Sequence, residues 1–163
     1  MASRAAEIVS SLRARGQTLA VAESLTGGRL CAAVVDVPGA STVFRGGLVV
    51  YATDLKTSLA GVPDGLLAAR GAVDPQVAAA LAAGARRRCG ADWGLGTTGV
   101  AGPDPQDGKP VGTVFVACHG PVREVVRPLR LAGDRSAIRS AAVTAALDLL
   151  REELAQATGA DDG

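Results

Sequence analysis

Apolar positions along this chain alternate between helical and strand periods. Ala5, Ile8, Val9 and Leu12 share one stripe between Ala2 and Arg15, which predicts an amphipathic helix ended by Gly16. Thr18 to Ala22 is a compact apolar run, as a buried strand requires. Glu23 and Ser24 stand at its exit, Thr26-Gly27-Gly28 follow, and Leu30, Val34 and Val35 return to helical spacing. After a Pro38-Gly39 loop, Phe44 to Tyr51 reads as a second strand, with Gly46-Gly47 marking a bulge or a close backbone approach. Thr53 or Asp54 caps a new helix.

Val62-Pro63-Asp64 starts a short helix that Gly71 closes. Asp74-Pro75 caps the next, through Val77, Leu81 and Ala85 to about Arg88. Arg86-Arg87-Arg88 fall in its last turn, where cations suit the helix dipole. Ala91 to Thr98 is a third strand, and Gly99 to Lys109 a loop rich in Gly, Pro and Asp. Val111 to Cys118 is a fourth strand, and His119-Gly120-Pro121 a turn into a fifth, Val122 to Leu131. Gly133-Asp134 opens a final helix whose stripe includes Ile138, Ala142, Ala145 and Leu149, and the polar tail Ala157 to Gly163 is expected to fray. Alternating elements favour parallel crossovers with helices on both faces, and the closing hairpin forces an antiparallel pair. The expectation is one α/β domain over residues 1–163: three layers, α/β/α, around a mixed, mostly parallel five-stranded sheet.

Composition narrows the function. A net charge of +1 and only four aromatic residues in 163 argue against a nucleic-acid surface. Cys31, Cys89 and Cys118 are scattered, and with the single His119 they offer neither zinc spacing nor a disulfide framework, so no metal is expected and a reducing cytoplasm fits. Met1 to Gly16 lacks the apolar core of a signal peptide, and no run is long enough to span a bilayer, so no membrane partner is expected. An exposed Ala-rich helix face would suit a homodimer or a higher homo-oligomer.

Three loops converge at one sheet edge, beyond the carboxyl ends of strands, where open α/β sheets bind ligands. They hold Glu23 to Gly28, Tyr51 to Lys56, and Thr97 to Asp104. Ser24 is a helix cap or a nucleophile. The glycines beside it let the backbone approach a ligand, and a helix starting there aims N–H groups at an anion or oxyanion.

Ala22-Glu23-Ser24-Leu25-Thr26-Gly27-Gly28 resembles the AES-x-TGG signature of the CinA C-terminal domain family. The likeness continues at Val50-Tyr51 with Lys56, Gly71-Ala72-Val73, Gly99-Val100-Ala101-Gly102-Pro103, Lys109-Pro110-Val111-Gly112-Thr113-Val114, and Gly133-Asp134-Arg135 with Arg139. These motifs are collinear over nearly the whole chain. The resemblance implies a three-layer fold with a mixed five-stranded sheet and hydrolysis of the carboxamide of nicotinamide mononucleotide. The products would be nicotinate mononucleotide and ammonia, with no cofactor and a small pyridine nucleotide as partner. The longer CinA proteins carry a further N-terminal domain. One departure stands out: relatives continue Gly-Pro-Asp with a Gly-Gly pair, whereas this chain reads Pro105-Gln106-Asp107-Gly108, and a proline stiffens the loop and removes an N–H. Asp74 also replaces the serine usual after Gly-Ala-Val, and either residue caps a helix.

Amide hydrolysis needs a nucleophile, a proton shuttle and an oxyanion site. With His119 on a turn, a Ser-His-Asp triad is not expected, and a Ser–Lys pair is the remaining way to activate Ser24. The family's matching lysine, Lys56 here, carries that role; otherwise it is one more solvated helix lysine. The chain has only two lysines, which favours a specific use. As a base Lys56 must lose its proton near neutral pH, far below the usual ~10.4. Tyr51, the sole tyrosine, holds Lys56 or Ser24 by hydrogen bond, relays a proton, or packs at the strand end. Glu23 pairs with a basic residue or binds ribose hydroxyls. Thr26, Gly27, Gly28, Thr98, Gly99 and Gly102 are candidate substrate contacts, and Arg135 and Arg139, one turn apart, are candidate phosphate ligands or solvated surface arginines. The alternative function is a non-catalytic nucleotide-binding or competence-associated regulatory protein of the same fold.

Overall fold

The computed structural model describes residues 2–161. Helix α1 spans Arg4–Arg15, strand β1 Leu19–Glu23, α2 Arg29–Val35, β2 Phe44–Val49, α3 Thr53–Ser58, α4 Asp64–Arg70, α5 Pro75–Cys89, β3 Trp93–Gly99, β4 Thr113–His119, β5 Glu124–Arg130 and α6 Arg135–Asp161; a 3-10 turn covers Ala40–Thr42. The sheet order is β2-β1-β3-β4-β5. β1 pairs parallel with β2 and β3, whereas β3–β4 and β4–β5 are antiparallel. Four strands therefore share one direction and β4 alone opposes them, which is the mixed, mostly parallel sheet expected.

β1 shows how the layers form. All five of its residues are buried. Leu19 and Val21 face a core built with α1, α2 and α6, while Ala20 and Ala22 face a second core with Val77, Leu81 and Ala85 of α5. The period of two sends alternate residues to opposite helical layers. On the second face the layers touch almost backbone to backbone. A Cβ at Gly94 would lie 2.1 Å from the Ala82 carbonyl oxygen, and one at Gly96 2.5 Å from that of Ala78. The alanine stripe of α5 is thus buried against β3.

Several boundaries differ from the sequence reading. α1 starts two residues late because the Ser3 hydroxyl accepts from the Ala6 N–H at 3.1 Å and caps it. Ala52, not Thr53 or Asp54, takes the cap position of α3, with no side-chain cap. His119 is the last residue of β4, not a solvated turn residue; it lies half-buried against Arg86, 3.3 Å from Nη1, at the sheet end opposite the three converging loops. α6 continues through Ala157 to Asp161, so the expected fraying at 157 gives way to helix that far, and residues 162–163 lie outside the described residues. No described helix is long and apolar enough to cross a membrane.

Candidate active site

The three loops meet around a cavity of about 410 Å³ lined by Ser24, Tyr51, Lys56, Thr98, Gly99 and Arg135, with the segment Val100–Gln106 as its outer wall. Ser24 is 8% exposed. Its N–H donates to the Thr97 carbonyl at 3.1 Å and lies 3.3 Å from the Thr97 hydroxyl, and its own carbonyl accepts from Gly27 at 3.1 Å. Ser24 is not a helix cap. Gly28, at φ 100°, takes that position for α2, which a residue with a Cβ would adopt only under strain.

Glu23 binds neither a basic residue nor the cavity. Its carboxylate is wholly buried and accepts from the N–H groups of Leu30 at 2.8 Å and Cys31 at 3.0 Å, the first turn of α2. A charge on the preceding strand caps the following helix and ties both sides of the Ser24 turn together. The same contact overturns the expectation that this helix start binds a phosphate, because Glu23 already occupies it. The Cys31 thiol beside this carboxylate is pushed above its ordinary pKa, first by burial and then by Glu23. Thr26 is also buried; its hydroxyl is 2.8 Å from that of Thr97. Thr97 was not singled out from the sequence, yet it holds Ser24 and Thr26 together; its place as the residue paired with Glu23 across the parallel ladder was the available signal.

Lys56 is 1% exposed. Its Nζ donates to the carbonyls of Val50 at 2.8 Å and Tyr51 at 3.2 Å, and among the described residues it pairs with no carboxylate. Burial alone pushes its pKa below the ordinary lysine value. The reading as a solvated helix lysine is therefore wrong. Val50 in turn donates from its N–H to the Glu23 carbonyl at 2.9 Å, so the lysine hangs from the residue hydrogen-bonded to the end of β1, next to Ser24. A neutral amine with two protons on two carbonyls keeps one lone pair, and that lone pair can accept a proton.

Tyr51, 62% exposed as a residue, contributes its carbonyl to Lys56 and lines the cavity. There its hydroxyl accepts from Arg135 Nη2 at 3.0 Å, and Arg135 Nη1 donates to the Gly102 carbonyl. Arg135 bridges two walls of the cavity. Arg139 does not reach the mouth: its Nε donates to the Leu25 carbonyl at 2.8 Å and its Nη2 to that of Thr26 at 3.3 Å, so the expectation that it binds phosphate is corrected. Gly27, at φ 55°, leaves room for it, since a Cβ there would lie 2.9 Å from Nη2. The Thr98 hydroxyl already donates to the Ala72 carbonyl at 2.7 Å, and Gly99 permits close packing on Val114 and Thr113, so both shape the wall.

The wall's departure from the usual glycine pair has a local remedy. Gln106 and Lys109 exchange backbone hydrogen bonds at 3.1 and 2.8 Å around Asp107 (φ 50°) and Gly108 (φ 72°), the pattern of a two-residue hairpin turn. Asp107 also accepts from the Ala72 N–H at 3.3 Å, and Lys109 Nζ donates to the Val73 carbonyl at 2.6 Å. The turn is thereby pinned to the segment before α5.

Residues 1–154 match the family model of the CinA C-terminal domain. The chain belongs to that family. A CinA-like protein of Frankia casuarinae is 57% identical over 148 residues, which cover 91% of this chain and 34% of that protein. The chain spans about a third of the length of the curated relatives it matches. The crystal structure of a CinA superfamily protein from Klebsiella pneumoniae superposes with a TM-score of 0.90 at 31% identity, covering 94% of this chain and 96% of that one. That of the competence damage-inducible protein A from Klebsiella pneumoniae subsp. pneumoniae gives 0.90 at 33%, covering 93% and 95%. The fold of this CinA domain is accordingly the one the motifs implied. Among its described residues no three His, Cys, Asp or Glu side chains gather as metal ligands.

Proposed function

We propose that this CinA domain is a serine amidohydrolase that converts nicotinamide mononucleotide to nicotinate mononucleotide and ammonia. The observation that carries the reading is a buried, carboxylate-free lysine lining the same cavity as a serine at a strand exit. Neutral Lys56 accepts the proton of the Ser24 hydroxyl as Oγ bonds to the carboxamide carbon. The tetrahedral oxyanion collapses, the C–N bond breaks, and the Lys56 ammonium protonates the departing amine to ammonia. Water then attacks the acyl ester, Lys56 takes its proton, and that proton returns to Ser24 Oγ as the carboxylate leaves. Tyr51 fixes the amine through its carbonyl. Arg135 is the cation at the mouth for the 5′-phosphate, exchanging its bonds to Tyr51 and Gly102 for phosphate oxygens. The segment Pro103–Gln106 still lines the cavity, so the altered loop does not favour a non-catalytic protein.

Ammonia release from nicotinamide mononucleotide by purified protein tests the reading. Ser24→Ala and Lys56→Ala are each expected to lower kcat by roughly 10³-fold or more with the fold intact, because members of one catalytic unit fail together. A folded Ser24→Ala protein that keeps most of the activity would sink it.

A further inference from the structure

Two backbone N–H groups follow Ser24 without an acceptor among the described residues: those of Leu25 and Thr26. Their residues are 3% and 0% exposed. Buried N–H groups are nearly always paired, and of these two residues Leu25 lines the cavity while Thr26 does not, so the Leu25 N–H, directly after a candidate nucleophile, asks for a partner that arrives with the chemistry.

The orientation of the Thr26 N–H is set from the other end of its peptide. A trans peptide is planar and points its C=O and N–H in opposite directions. The Leu25 carbonyl shares that plane, and Arg139 Nε of α6 holds it at 2.8 Å. Arg139 thereby fixes the plane of the peptide that follows Leu25. The next peptide is fixed as well: the Thr26 carbonyl accepts from Arg139 Nη2 at 3.3 Å and from the Arg29 N–H at 2.9 Å, while its Gly27 N–H closes on the Ser24 carbonyl. That closure aims the Leu25 N–H, opposite the Ser24 carbonyl, out of the turn. Thr97 holds the same turn from β3.

We infer that Arg139 is a positioning residue for the oxyanion site: from α6 it holds the Leu25 carbonyl, and with it the turn after Ser24, so that the Leu25 N–H, on a residue that lines the cavity, receives the oxyanion formed when Ser24 attacks. The inference rests on the nucleophilic role proposed above for Ser24. It assigns Arg139 a contribution to kcat and none to phosphate binding. Arg135, one turn earlier on α6, keeps the mouth, so one helix serves both ends of the substrate.

The test compares wild type, Arg139→Ala and Arg139→Lys by steady-state deamidation of nicotinamide mononucleotide and by the rate at which a fluorophosphonate labels Ser24. The probe's phosphoryl oxygen takes the oxyanion position but carries no nucleotide phosphate. Arg139→Ala is expected to lose roughly 10- to 100-fold in kcat, less than the full removal of a donor, with KM within about threefold and labelling slowed in parallel. Arg139→Lys, whose single ammonium cannot span both carbonyls as the guanidinium does, falls between; circular dichroism checks that each variant is folded. If Arg139→Ala fails to fold, the Lys variant alone decides. Raised KM with unchanged kcat and labelling would overturn the inference and return Arg139 to phosphate binding, and so would wild-type values in both readouts. Wild-type labelling that slows in Arg139→Ala, without ammonia release from either, upholds the positioning role and rejects the substrate. No labelling and no ammonia release by wild type would reject Ser24 as nucleophile and this inference with it.

Discussion

Lys56 Nζ lies 2.8 Å from the Val50 carbonyl oxygen, at a residue that is 1% exposed and that no carboxylate among the described residues neutralises. Burial of that charge holds the folded pKa below the unfolded value. Between the two values the unfolded chain binds more protons, so stability rises with pH through this window and is lost as pH falls through the folded pKa. The difference in Tm between wild type and Lys56→Met should therefore move in favour of wild type as pH rises toward the ordinary lysine range, as followed by calorimetry. Activity should rise as pH passes up through the folded pKa and flatten above it, because the neutral amine is the base. A pH-independent difference in Tm would show that the folded amine stays charged up to the ordinary lysine range.

Arg135 joins Tyr51 to Gly102 across the mouth. Arg135→Ala is expected to raise KM for the nucleotide roughly tenfold or more, the worth of a charge-assisted hydrogen bond, and to change that for the riboside by less than about threefold. Equal losses on both substrates would assign Arg135 to the shape of the cavity instead.

Glu23 accepts two buried N–H groups at the start of α2. Glu23→Ala leaves both without a partner and should cost about 3 kcal/mol in a denaturant titration. Because the carboxylate braces the Ser24 turn, activity in the residual folded fraction should fall through kcat, with KM for the nucleotide little changed. A large rise in KM alone would restore the ribose-binding reading.

Gly108 adopts φ 72° with nothing within 4 Å of a Cβ built there. Gly108→Ala is thus a test of backbone strain without a clash, expected to cost about 1–2 kcal/mol. As the turn anchors the cavity wall, KM should also rise. An unchanged melting curve would show that the turn relaxes freely and that the wall owes its place to Asp107 and Lys109.

Cys31, Cys89 and Cys118 are free thiols, and burial pushes that of Cys118 to about 12. Deamidation should survive EDTA and a reducing agent, measured by ammonia release. Stoichiometric zinc in the purified protein, by elemental analysis, together with loss of activity on its removal would overturn the metal-free mechanism.

The sequence by itself determined the elements and their layering. Apolar period, capping residues and Gly/Pro punctuation act over a few neighbours, so Gly16, Gly71 and Asp74-Pro75 bound their helices and β1 reads as a buried strand. The convergence of three loops beyond the strand ends followed from parallel strand order. Tertiary structure alone decided what each polar side chain touches. Arg139 and its carbonyl partner Leu25 stand 114 residues apart, and Thr97 and Ser24 73 apart, so no local pattern relates them. Even Glu23, seven residues from Leu30, was open, because only the fold brings the first turn of α2 back over the end of β1. Lys56 is the sharpest case: a lysine on a six-residue helix reads as solvated, and only packing removes the water around it.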